Sequence, residues 1–126
     1  MTERMTGKID HNWGYEIIWS SNDNYCGKML VFPTPGIKTD LILHKEKRKS
    51  WFVNAGRFRL VFVDTKTGEL KEVILEEGKT VDLGELSPHQ LESLLPDSIM
   101  FEVGTAENPE DKFILSPGQS QRGATA

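Results

Sequence analysis

Apolar residues in this chain recur at every second position over short stretches, and almost nowhere at helical spacing. Residues 15–20 read as a first strand, after the turn-like segment HNWG at 11–14. Residues 25–32 read as a second, ended by PTPG at 33–36 with Pro35-Gly36 at the tip of the turn. Residues 39–44 make a third strand, and residues 51–53 start a fourth that closes in a tight turn at Ala55-Gly56. The clearest hairpin follows. RFRLVFVD at 57–64 alternates strongly, DTKTGE turns, and LKEVIL returns over 70–75. After Glu76-Glu77-Gly78, further short strands are expected at 80–83, 89–93, 98–103 and 112–115, the last preceded by a turn at 108–111.

About nine or ten short strands with frequent turns predict an all-β domain, an antiparallel sandwich or barrel. An immunoglobulin-like sandwich competes, but its Cys–Trp–Cys support is missing. The chain of 126 residues fits one core, and 37% hydrophobic residues with 11 Gly and 6 Pro suit a strand-rich, turn-rich domain. The folded part is placed at 11–115. Residues 1–10 are polar and expected to fray, and the Gly/Ser/Gln-rich tail at 116–126 reads as a loose arm. Phe58, Leu60 and Phe62 form one core face, joined by Phe101 and Val103. Trp13 and Trp19 seal one end or lie in a subunit contact.

Charge narrows the function classes. A formal net charge of −4 disfavours general nucleic-acid binding. Cys26 is the only cysteine, so no intrachain disulfide forms; a buried thiol in a reducing, cytoplasmic setting is expected. No apolar run is long enough to span a membrane and no signal peptide is evident, so no membrane partner is expected. Lys45-Glu46-Lys47-Arg48-Lys49 is a basic run with two readings. It is a solvated hairpin end, or it faces a cavity and attracts an anion. Gln90, Glu92 and Glu102 read as surface groups. Arg57 and Arg59 are expected to pair with acidic residues of 69–77.

At Pro35-Gly36, His44, Gly56, Gly78 and Pro88-His89, the chain resembles the cupin superfamily. Within it, WGYEIIW at 13–19 and YCGKML at 25–30 resemble the cupin domain of type II mannose-6-phosphate isomerases. The resemblance implies an antiparallel double-stranded β-helix, the jelly-roll or cupin barrel. It also implies a homodimer, because on the inward register of His44 the residues Asp40 and Ile42 face in while Leu41 and Leu43 face out and need cover. Cover by the chain's own first strand would serve equally.

Family members hold a divalent metal with three histidines and one glutamate. Here the matching positions fall on Ile42, His44, Lys49 and His89. Two ligands remain, Ile42 offers no lone pair, and Lys49 brings a charge that repels a cation. The implied cofactor is therefore none, or a weakly bound divalent transition metal on His44 and His89. Three functions stay open. The first is binding of a small carbohydrate, sugar phosphate or other anionic sugar derivative, with Lys49, Trp51 and Asp40 as ligand-binding residues. The second is a sugar or sugar-phosphate isomerase or epimerase using His89 or His44 as general base. The third is a non-catalytic structural scaffold.

Overall fold

The computed structural model describes residues 6–118. Eleven strands are present: β1 Gly7–His11, β2 Gly14–Ser21, β3 Tyr25–Phe32, β4 Leu41–Leu43, β5 Lys49–Ala55, β6 Arg57–Val63, β7 Leu70–Glu76, β8 Thr80–Leu83, β9 His89–Ser93, β10 Ser98–Thr105 and β11 Phe113–Ser116. A single 3-10 turn, Pro109–Asp111, precedes β11. Asn108 caps it by accepting the Glu110 N–H, and Pro109 starts it where no amide donor is needed.

The strands form two antiparallel sheets. The order is β1-β2-β3-β10-β5-β8 in the six-stranded sheet and β11-β4-β9-β6-β7 in the five-stranded one. The all-β antiparallel expectation is met. Closure into one continuous barrel is not found: among the described residues no strand pairing joins the two sheets.

Two ends of the chain depart from expectation. Residues 7–10 pair with β2, from Gly7 opposite Ile18 to Asp10 opposite Tyr15, because an edge strand satisfies its backbone in a sheet even when its side chains are polar. At the other end Ser116 lies in β11, and Gly118 N–H donates to Asp40 Oδ1 at 2.8 Å. The rest of the expected loose ends, residues 1–5 and 119–126, lies outside the described residues.

The core fills the space between the sheets with Trp13, Leu30, Phe32, Trp51, Val53, Phe58, Leu60, Leu75, Leu83, Leu91 and Met100. Phe32 meets Trp13 face to face and Phe58 edge on. Each such side chain contributes about 1.5–3 kcal/mol by leaving water. Phe58 and Leu60 sit as expected, with Phe62 packed against them. Phe101 and Val103 do not. In β10 the inward residues are Ser98, Met100 and Glu102, while Val103 is 55% exposed. The more apolar parity, Ile99, Phe101 and Val103, is the less buried one, and a register shift between Ile99 and Met100 accompanies the pairing of β10 with β5. Gly56 holds the β5–β6 turn at φ +85°, and a Cβ there would strike the Ser98 side chain.

Candidate functional site

Antiparallel register arranges β3, β10 and β5 in cross-strand rows. Leu30, Met100 and Val53 make one row; Lys28, Glu102 and Trp51 make the next; Cys26, Gly104 and Lys49 make the third. The first row is hydrocarbon. Lys28, Glu102, Trp51 and Lys49 of the following rows line a cavity of about 370 Å³ between the sheets, walled on the opposite side by Ile42, His44, His89 and Leu91. A wider depression of about 660 Å³ lies on the outer face of the six-stranded sheet, against Trp19, Phe52 and Phe101. It is mostly apolar; the inner cavity is where donors, acceptors and charges converge.

Both histidines are fixed in the same way. His89 Nδ1 lies 2.8 Å from the Ser87 carbonyl and His44 Nδ1 lies 2.8 Å from the Asp111 carbonyl. A carbonyl only accepts, so each Nδ1 carries the proton and each Nε2 keeps its lone pair. His89 Nε2 is buried, and no described residue donates to it. The two rings stand 6.3 Å apart, and Trp51 meets His89 edge on at 5.5 Å. Burial first, and the Lys49 charge second, hold the His89 conjugate acid down to about 3. The same two causes lower that of His44.

The charged wall is a paired network. Trp51 Nε1–H donates to Glu102 Oε1 at 2.8 Å. Glu102 lies 3.8 Å from both Lys49 and Lys28, and Lys28 reaches Glu107 at 2.8 Å and Glu16 at 3.9 Å. Lys47 also bonds Glu107. Burial would raise the Glu102 carboxyl, but Lys49, Lys28, Lys47 and the Trp51 N–H outweigh it and hold it down to about 2. Glu107 is likewise held to about 2, chiefly by Lys28 against the cost of burial. Burial lowers the Lys49 ammonium further than Glu102 restores it.

The basic run is therefore not a uniformly solvated end. Lys45, Glu46 and Arg48 are exposed, whereas Lys47 and Lys49 turn inward and are buried. Asp111 fixes this turn. Its carboxylate accepts the backbone N–H groups of Lys45 at 2.7 Å and of Glu46 and Lys47 at 3.0 Å. Burial acts to raise its carboxyl, and the three amides overcome that.

Of the residues singled out from sequence, His44, His89, Lys49, Trp51, Asp40 and Ile42 all line the cavity. Asp40 also anchors the Gly118 amide. Glu102, taken as a surface group, is 5% exposed and sits at the centre of the charge network. Lys47 was marked only as a member of the basic run, and Lys28, Glu107 and Asp111 carry no motif. One signal was available: Lys28 interrupts a strand that is apolar on both parities, the pattern of a buried charge. The Asp111 bonds to a distant turn leave no local trace. Leu41 and Leu43, expected to face outward and to need cover, are half-buried.

A metal does not fit this donor set. Among the described residues no three His, Cys, Asp or Glu side chains gather to hold one. Two imidazole lone pairs remain, but Ile42 adds none and Lys49 puts an ammonium beside them.

No protein-family model matches this chain, and no curated protein does. Solved structures do. Oxalate decarboxylase from Bacillus subtilis superposes with a TM-score of 0.76 at 19% identity, covering 87% of this chain and 30% of that one. The capsular polysaccharide assembling protein CapF from Staphylococcus aureus gives 0.74 at 17%, covering 90% and 33%. KdgF from Halomonas sp. gives 0.61 at 17%, covering 76% and 81%. The chain thus spans about a third of the first two proteins. At these identities the likeness shows a shared fold. These likenesses carry no specific link to mannose-6-phosphate isomerases. Among the described residues no helix is long and apolar enough to cross a membrane.

Proposed function

We propose that this protein binds a small carbohydrate in its inner cavity without metal-dependent chemistry. The observation that carries the reading is the buried, undonated Nε2 of His89, held toward the cavity wall by the Nδ1–H bond to Ser87. A buried acceptor of this kind calls for a hydroxyl donor. The neighbouring Lys49 ammonium supplies the complementary donor, so a group that both gives and takes a hydrogen bond suits the pair. Trp51 and Leu91 add apolar surface for ring carbons.

Charge balance refines the ligand. Four lysines (28, 47, 49 and 112) and four carboxylates (16, 40, 102 and 107) line the cavity. This favours a neutral sugar over a sugar phosphate, for which a surplus of cations would be needed. Calorimetry with neutral monosaccharides and their phosphates tests it. Saturable heat from a neutral sugar is expected, weakened about tenfold by His89→Ala through loss of one hydrogen bond. Heat from the phosphates alone would reverse the charge argument. Silence from both would remove the binding reading.

Isomerase or epimerase chemistry is the second reading, favoured by the inward lone pairs of the two histidines. His44 is the better base of the two, because the His89 conjugate acid at about 3 is far from neutrality. Following the same sugar samples by NMR separates the readings: conversion to a second sugar marks turnover, and its absence with retained heat marks binding alone.

A further inference from the structure

We propose that Lys49 captures carbonyl compounds: its amine, buried at the cavity beside Glu102, His44 and His89, forms a reversible imine with a small aldehyde or with the open-chain carbonyl form of a sugar. The inference rests on the cavity being a ligand site, and it names the functional group that the site takes.

Of the four lysines that line the cavity, Lys112 is exposed, and the other three are not equivalent. Lys28 is held by Glu107 at 2.8 Å, and Lys47 bonds the same carboxylate. Lys49 has its nearest carboxylate, Glu102, at 3.8 Å, too long for a hydrogen bond. Its side chain is 7% exposed, and its Nζ sits 5.2 Å from the centre of the Trp51 ring. Gly104 leaves room for this placement; a Cβ there would come within 3.1 Å of the Lys49 Cβ. The stem is thus fixed by backbone while the amine is the least tied of the three.

The surroundings favour the free amine. Burial removes water from the ammonium, Lys47 and Lys28 add like charge, and Glu102 only partly offsets them. Glu102 also divides its charge among Lys49, Lys28 and the Trp51 N–H.

The step balances without any oxidant or metal. The Lys49 nitrogen attacks the carbonyl carbon, a C–N bond forms, and the π pair moves to oxygen. One N–H proton passes to that oxygen, giving a carbinolamine. The second N–H proton then joins the departing hydroxyl, the C–O bond breaks, and imine and water result. The Nε2 lone pair of His44 is the carrier for both protons, because His44 is the less buried of the two imidazoles.

The full chain is incubated at pH 7 with glycolaldehyde and sodium cyanoborohydride, which reduces an imine to a stable secondary amine, and the modified lysines are mapped by peptide mass spectrometry. Lys49 is expected to label faster than exposed Lys66 and Lys79, because burial favours its free amine. Lys49→Arg should remove that adduct and leave the surface background. Label on Lys66 and Lys79 with Lys49 unmodified overturns the proposal, as does label on Lys28 or Lys47 in its place. The wild-type map decides this whether or not the variant folds. Calorimetry with a methyl glycoside, which has no free carbonyl, reads the carbohydrate site separately. Heat without a Lys49 adduct sinks the imine and leaves the binding site standing.

Discussion

Along β5 the buried side chains run from Val53 through Trp51 to Lys49, and along β10 from Met100 to Glu102. The same two strands therefore build a dry core at one end and a charged cavity wall at the other. At the dry end, Val53, Phe58, Leu60 and Met100 need only partners of suitable shape, and any apolar neighbour stabilises them. At the charged end, each group depends on a particular opposite charge. Lys49 without Glu102 loses the carboxylate that does most to offset its burial. The wall is thus tolerant where it is apolar and brittle where it is charged.

The sharpest way to break this comparison is to change what the charged end can hold. Ile42→His with Lys49→Glu adds two donors beside His44 and His89 and removes a repelling charge. Transition-metal content, read by elemental mass spectrometry on protein purified without chelator, should rise from substoichiometric to about one per chain. An unchanged metal content in a folded double variant would show that the four positions do not share a site.

Next in size is the loss of one partner. Glu102→Ala and Phe58→Ala should each destabilise the fold by about 3–5 kcal/mol, the first by stranding a charge and the second by opening a cavity. Denaturant unfolding separates them by rescue. Adding Lys49→Met should recover a large part of the Glu102→Ala loss and none of the Phe58→Ala loss. Equal behaviour of the two would erase the distinction.

The smallest effect is on acid stability. The His89 conjugate acid is held at about 3, below its usual value of 6.5, so between these pH values the unfolded chain takes up a proton that the folded one refuses. Stability should fall as pH drops from 6.5 toward 3. The Glu102 and Glu107 carboxyls, held at about 2 against a usual 4.5, contribute stability above 4.5 that is lost below it. His89→Gln should flatten the decline between 6.5 and 4.5 and leave the steeper part below 4.5. A decline unaltered in the upper window would move its origin away from His89.

The comparison also explains what could be read from the residues alone. Alternation encodes the dry end directly: Phe58, Leu60, Phe62 and the hairpin of β6 and β7 follow from period two, whereas Lys49 was marked only by the family resemblance. The phase of β10 was lost because Ile99, Phe101 and Val103 make a more apolar set than Ser98, Met100 and Glu102, and a rule that sends charge outward chooses the wrong one. Glu102 then looks like surface, although register sets it opposite Lys28 and Trp51. The cavity residues of the histidine wall were legible because they share a motif. Their counter-charges were not, because each comes from a strand or loop distant in sequence.

That separation has a consequence in time. Lys28, Lys47 and Lys49 leave the ribosome well before Glu102, Glu107 and Asp111, the groups that neutralise them or tie down their turn. The hydrophobic hairpins can pair as they emerge. The cavity wall cannot settle until β10 and the 3-10 turn arrive, since His44 takes its orientation from Asp111 and Lys49 its counter-ion from Glu102. Synthesis therefore completes the scaffold first and the site last, and a nascent chain arrested before β10 carries Lys47 and Lys49 without Glu107 and Glu102.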